Sequence, residues 1–247
     1  GPHRVILNQT PQNLGLNKHI NSLLKQASGD IIIPFAGDDR FRSDRARKLA
    51  DRLVLDDSLL AHSQADFIGS DSNPVASIHA DATLYVTNDL RRIALSDGLF
   101  IGATAAWRRD LFTKYGPLPE TEAYEDLVLG FRAALERRIS FLREPLVKYR
   151  VGTGVSFQSF KLEEIDFKTQ RKKKLLRWRS VLFARLLDAT KFGLSPDHPV
   201  ILDLRAEIFD VDSRLVIYGE LRRLPHSILT RPARSIRMML REFKKHL

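Results

Sequence analysis

Asp30-Ile31-Ile32-Ile33-Pro34-Phe35-Ala36-Gly37-Asp38-Asp39 is the stretch on which the fold turns. Its apolar run after Gly29 reads as a buried β-strand that ends at Gly37. Two adjacent carboxylates stand where that strand stops. In an open α/β sheet, ligands bind beyond the carboxyl ends of the strands. Two acids on a rigid strand end suit a hard divalent cation that also bridges phosphate oxygens. They would equally serve to cap a turn or the next helix, and spacing alone leaves both readings open.

Working outward, Arg4–Leu7 is a short apolar strand candidate closed by Asn8-Gln9-Thr10-Pro11. A helix follows from Asn13, with Leu16, Ile20, Leu23, Leu24 and Ala27 on one face. Beyond the acids, Ser43 is a candidate N-cap for a helix through Leu49 and Leu53, and Leu59–Ile68 is the next strand. A short helix near Asp89–Leu95, a strand at Leu99–Trp107, a helix at Glu125–Arg138 and an extended run at Ile139–Val151, interrupted by Pro145, complete this part. The rhythm of strands and helices with short links predicts an α/β domain, its sheet mainly parallel and partly mixed, with helices on both faces. After Ser156 the pattern changes to charged helices over about 161–190, 200–223 and 227–246. The expected organisation is therefore a core over 1–156 and a basic helical region over 157–247.

Glu125-Asp126 is the second acidic pair, opening a helix after a loop rich in Gly, Pro and Thr. Acids in a first helical turn favourably meet the helix dipole, so capping alone would explain them. The seven histidines are scattered without metal-binding spacing and read as structural or surface residues. Cysteine is absent, which excludes disulfides and thiolate catalysis.

The order of several weak motifs over residues 4–156 resembles glycosyltransferase family 2, which has the GT-A fold, a Rossmann-like sheet of nucleotide-diphospho-sugar transferases. The matching pieces are Asn13-Leu14-Gly15, Asn21, Ala27-Ser28-Gly29-Asp30, and Gly37-Asp38-Asp39. Further on come Gly102, Trp107-Arg108-Arg109, Gly116-Pro117-Leu118-Pro119, Glu125-Asp126, Arg132 and Glu144–Arg150 with Ser156. The resemblance implies an inverting transfer of a sugar from a nucleotide-diphosphate donor to a hydroxyl acceptor. That acceptor would be a glycan or a lipid-linked molecule, in surface polysaccharide or lipopolysaccharide synthesis. It implies that Asp39, ahead of Asp38, ligates Mg²⁺ or Mn²⁺, with Asp38 also at the donor diphosphate. Asp126 would be the general base, with Glu125 beside it. Asn13, Gly15 and Asn21 would border the nucleotide.

Two departures accompany the resemblance. The sequence starts at what resembles the family's third strand, without the strand–helix–strand unit that holds the nucleobase. Three residues after Tyr149, where the family often has His, stands Gly152.

The charge is segregated. Residues 1–156 carry 20 Lys and Arg against 19 acids, a net of +1, whereas 157–247 carry 20 against 11, a net of +9. Such a field attracts phosphates. The densest cluster is Arg171-Lys172-Lys173-Lys174 with Arg177 and Arg179. In the last helix Leu229, Ile236, Leu240, Phe243 and Leu247 share a face, which suits an anionic membrane surface or a homodimer through the C-terminal helices. The expected location is cytoplasmic, peripheral at the inner face of the membrane. Two rival readings are a catalytically incomplete transferase-like structural partner and a basic nucleic-acid-binding protein. No nucleic-acid partner is expected, because no recognisable reading module is present.

Overall fold

The computed structural model describes residues 3–76, 82–121, 123–152, 166–220 and 231–243. Its elements in chain order begin with α1 (Leu16–Gln26), β1 (Ile31–Ile32), β2 (Arg40–Phe41), α2 (Arg45–Leu55) and β3 (Leu60–Ile68). Next are α3 (Thr83–Val86), α4 (Leu90–Ala94), β4 (Ala105–Arg108) after a 3₁₀ turn at Gly102–Thr104, and α5 (Asp110–Tyr115). α6 (Glu125–Leu135), β5 (Ile139–Arg150), α7 (Phe167–Phe192), α8 (Pro199–Leu215) with a 3₁₀ turn, and α9 (Pro232–Phe243) follow.

The five strands form one sheet in the order β1-β4-β3-β5-β2. Only β3 and β5 run parallel; the pairs β1–β4, β4–β3 and β5–β2 are antiparallel. The sheet is therefore mixed, and the expectation that it is mainly parallel is corrected. The apolar runs looked parallel because β4 and the first four residues of β3 are buried on both faces, which erases the alternation of a one-sided sheet. Along β4, Ala105 and Trp107 join the large core that contains α6, α7 and α8, while Ala106 joins a small core with Leu49 and Leu53 of α2. Helices thus cover both faces.

β5 continues through Pro145 because the ladder slips there. Ser63 pairs with Leu142 but Gln64 with Pro145, so Arg143 and Glu144 are bulged out. A bulge lets the strand carry a residue without an N–H.

Other expectations change too: the strand expected over Leu99–Trp107 is confined to Ala105–Arg108, and α1 buries Asn17 and Asn21 while Leu16 and Leu23 of its expected apolar face are exposed. The strand expected over 30–36 narrows to Ile31–Ile32, paired on one side only, by β4. Arg4–Leu7 forms no strand, and Val5 is 91% exposed. An apolar tetrapeptide has no strand character without a ladder partner, and none is present among the described residues. The N-cap of α2 is Asp44 rather than Ser43.

The junction near 157 lies outside the described residues, as do Ser156, Leu229 and Leu247. The apolar core does not stop there: Leu127, Val128 and Phe131 of α6 belong to one cluster with Val181, Leu182, Ala189, Ile201 and Leu204. Among the described residues no helix is long and apolar enough to cross a membrane.

Candidate active site

The acidic turn at Asp38-Asp39 is fixed by its flanks. β2 follows immediately and pairs with β5, Arg40 opposite Lys148 and Phe41 opposite Val147. This register puts the turn beside the end of β5. There the Arg150 N–H donates to Asp39 Oδ1 at 2.8 Å, and Arg150 Nε donates to the Asp38 carbonyl at 2.8 Å. Arg150 Nη1 also holds the Gly69 carbonyl at 2.7 Å. Arg150 therefore ties two turns, at Asp38-Asp39 and at Gly69, to the end of β5.

Beneath the turn lies Arg45, fully buried at the start of α2. Its Nη2 donates to the carbonyls of Ala103 at 2.7 Å and Ala105 at 3.1 Å. The guanidinium stands 4.9 Å from the ring centroids of both Phe35 and Phe41, which bracket the turn. Such cation–π contacts strengthen when desolvated. Burial lowers the Arg45 pKa to about 10, and the charge of Asp39 opposes that fall.

Asp39 is itself pushed up. Burial is the main cause and the neighbouring Asp38 charge adds to it, while the Arg150 N–H, Arg150 and Arg45 pull the other way. Asp39 Oδ2 is buried without a hydrogen-bond partner. An orphan carboxylate oxygen next to a second acid is a donor set that fits a hard divalent cation. Mg²⁺ in particular takes one or two carboxylates and completes its shell with phosphate and water. Among the described residues no cluster of three or more acids or histidines forms a self-contained metal cage.

The second pair opens α6. Asp126 Oδ1 accepts from the Leu127 N–H at 2.7 Å. Burial raises the pKa of both Glu125 and Asp126, and the Glu125 charge raises Asp126 further. Two adjacent carboxylates in a desolvated site do not both ionise easily. Gly102 explains itself here, since a Cβ at that position would lie 2.7 Å from Glu125 Oε1.

Tyr149 lies in the field of both pairs. Its pKa is raised by burial first, then by the charges of Asp39, Asp38, Asp126 and Glu125. The geometric link between the pairs is Arg45, which lies beneath the first and donates to the carbonyl of Ala103, next to the Gly102 on which Glu125 packs.

The segment expected to border the nucleotide divides into two. Gly15 takes φ 77°, a conformation that favours glycine, and its N–H donates to Asn13 Oδ1 at 2.9 Å. Asn21 instead spends its amide inside the fold: Nδ2 donates to the Leu118 carbonyl and Oδ1 accepts from the Leu118 N–H, both at 2.9 Å. Asn17 Nδ2 donates to Pro119 and Ala123 carbonyls. α1 thereby holds the loop that delivers Glu125 and Asp126. Gly152 takes φ 82° with open space around it.

The sequence reading gave no role to Arg45, Tyr149 or Arg185. Arg185 of α7 is buried, donates to the carbonyls of Leu127, Ala94 and Ser96, and lies close enough to Asp126 to lower its pKa. A signal for both arginines was present. Arg45 falls one and two turns before Leu49 and Leu53, and Arg185 one turn after Val181 and before Ala189, so each sits on an apolar helical stripe.

The family model described as Glycosyl transferase family 2 matches residues 1–116. The chain is family-2-like, with a GT-A fold. Among solved structures, this family-2-like chain is similar to TarS of S. aureus. The crystal structure of TarS 1-349 with UDP matches at 16% identity and a TM-score of 0.50, covering 95% of this chain and 71% of TarS 1-349. The crystal structure of TarS 1-349 with UDP-GlcNAc matches at 15% identity and a TM-score of 0.49, covering 94% and 60%. The chain thus spans about three fifths to seven tenths of those TarS chains. No curated protein matches the sequence.

Proposed function

We propose that this chain belongs to an inverting glycosyltransferase that moves a sugar from a nucleoside-diphosphate donor to a hydroxyl acceptor, a glycan or lipid-linked molecule of the cell surface. The observation that supports the reading is the nearness of the two acidic pairs: Arg45, beneath the Asp38-Asp39 turn, donates to the carbonyl of Ala103, next to the Gly102 on which Glu125 packs, and Tyr149 lies in the field of all four carboxylates. The family 2 match supports the class of reaction. The TarS structure with UDP, whose fold this chain shares, supports a nucleotide donor.

Asp39, with Asp38 beside it, would hold Mg²⁺ or Mn²⁺, which when bound supplies charge neutralisation for the departing diphosphate. Asp126 accepts the proton of the acceptor hydroxyl. That oxygen forms a bond to the anomeric carbon as the carbon–phosphate-oxygen bond breaks, and the pair of electrons leaves with the nucleoside diphosphate. A single displacement of this kind inverts the anomeric centre. The desolvation that raises the Asp126 pKa makes it a stronger base, which suits proton abstraction near neutral pH. Glu125, packed on Gly102, adjusts that basicity by its charge. The segment around Asn13 and Gly15 borders the nucleotide. The expected location is the cytoplasm.

The test is calorimetry of UDP with Mn²⁺ alongside a transfer assay on the intact protein. Asp39→Ala should abolish metal-dependent donor binding. Asp126→Asn should spare it and lower turnover about 10²–10⁴-fold, the usual range for loss of a general base. Unchanged turnover in Asp126→Asn would remove that residue from the mechanism.

A further inference from the structure

α9 is inside out. Its buried residues are Ser235 and Glu242. Ser235 Oγ meets Ser213 Oγ of α8 at 2.7 Å. Glu242 accepts from Arg171 Nη2 of α7 at 2.9 Å and from the Tyr218 hydroxyl at 2.8 Å. Arg234 pairs with Asp210 of α8 through Nε at 2.6 Å and Nη2 at 2.8 Å. The helix is therefore anchored by polar contacts. Its apolar side chains face outward: Ile236, Leu240 and Phe243 are 51%, 57% and 55% exposed. Positions 236, 240 and 243 recur at helical spacing and make one continuous ridge. A shallow groove of about 420 Å³ runs beside it, lined by Ala233, Ile236, Arg237, Leu240 and Arg241.

The charges on this face have one sign. Glu242 is the only acid of α9, and it is buried against Arg171. Arg237 and Arg241 flank the ridge, exposed and without an ion pair among the described residues. Five other cations of the region are paired within the fold, through Arg171–Glu242, Lys172–Glu220, Arg179–Asp212, Arg214–Glu207 and Arg234–Asp210, and this pairing leaves the net +9 unchanged. The region as a whole therefore still favours an anionic partner, and Arg237 and Arg241 set part of that charge beside the apolar ridge of α9.

We infer that the outer face of α9 is a docking surface for an anionic lipid bilayer, with Ile236, Leu240 and Phe243 entering the interface and Arg237 and Arg241 meeting lipid phosphates. Charge complementarity selects this occupant. A two-fold contact between copies would set Arg237 and Arg241 against their own equivalents, and like charges across an interface are costly. A lipid surface accepts both parts of the pattern, because apolar side chains sink to the acyl boundary while cations stay at headgroup level. The inference is independent of the transferase reading.

Flotation of the intact protein with phosphatidylcholine–phosphatidylglycerol vesicles, against pure phosphatidylcholine vesicles, tests it. Binding should require the anionic lipid and should fall between 0.1 M and 1 M salt, as the screening length drops from about 10 Å to about 3 Å. Replacing Arg237 and Arg241 by Gln should weaken vesicle binding roughly 5-fold each and about 30-fold together, from the usual attraction per surface cation. Leu240→Ser and Phe243→Ser, each at an exposed position, should abolish binding while thermal unfolding stays unchanged. Vesicle binding that survives both serine variants would overturn the inference. So would equal affinity for duplex DNA, which would mean simple cation exchange. A concentration-dependent dimer lost in Leu240→Ser, with no vesicle binding by the wild type, would assign the face to a second copy instead.

Discussion

Asp126 is costly to ionise where it sits, and this has two consequences of opposite sign for stability and for activity. Its folded pKa is raised, so the stability it contributes is fully present below the ordinary carboxylate value of about 3.9 and is lost as pH rises through the folded value. Asp126→Asn removes that loss. The variant should melt higher than the wild type at alkaline pH, and the gain should shrink toward pH 4; calorimetry across that range is the check. In the proposed role of Asp126 activity runs the other way, because a general base must be ionised. Turnover should rise with pH along a limb displaced above the ordinary carboxylate range, and a pH–rate profile reads it directly. Arg45 is the second residue of this kind. Arg45→Met leaves the carbonyls of Ala103 and Ala105 without their donor, at about 1–3 kcal/mol. It also removes a charge that lowers the Asp39 pKa, so the Asp39 carboxyl should titrate higher still. Urea denaturation measures the first effect and carbon-detected NMR titration the second.

At the scale of elements, the position of Glu125-Asp126 depends on α1, an element that carries none of the acids. Asn17 and Asn21 grip the backbone of Leu118, Pro119 and Ala123, just ahead of α6. Asn21→Ala should strand the buried Leu118 N–H and carbonyl, costing about 1–3 kcal/mol. Amide exchange should accelerate in residues 117–121 before it does in the sheet. The 3₁₀ turn supports the pair from the other side. Gly102→Ala would press a methyl into Glu125 Oε1, so turnover should fall in a protein that remains folded.

For the whole molecule, the C-terminal helices are part of the site's support. Arg132 of α6 and Asp188 of α7 form a buried ion pair, Nε to Oδ2 at 2.8 Å. Arg132 Nη1 also holds the Gly116 carbonyl at 2.9 Å. Breaking a buried pair strands a charge in low dielectric, so Asp188→Ala should cost about 3–5 kcal/mol. Because one apolar cluster joins α6 to α7 and α8, the loss should appear as a lowered single transition rather than as separate melting of the C-terminal region.

The sequence by itself determined the elements and the acids. Apolar runs bounded by Gly and Pro marked β3 and β5, helical periodicity marked α1, α2 and α6, and the order of Asp38-Asp39 and Glu125-Asp126 carried the family resemblance. These features are local, or depend only on spacing. What the tertiary structure decided was everything that needs a partner distant in the chain. Strand direction came from the pairing partners, because apolar runs buried on both faces look alike whichever way they run. Arg4–Leu7 has strand composition and no ladder. Asn21 has the residue type of a ligand contact, yet both ends of its amide are taken by Leu118. The basic excess of residues 157–247 was legible as a sum, but only the fold shows which cations are paired: Arg171, Lys172, Arg179, Arg214 and Arg234 meet Glu242, Glu220, Asp212, Glu207 and Asp210. The outward face of α9 could be read from periodicity alone only as an apolar stripe. Its direction was set by Ser235, Glu242 and Arg234, whose polar partners lie on α7, α8 and the turn at Tyr218.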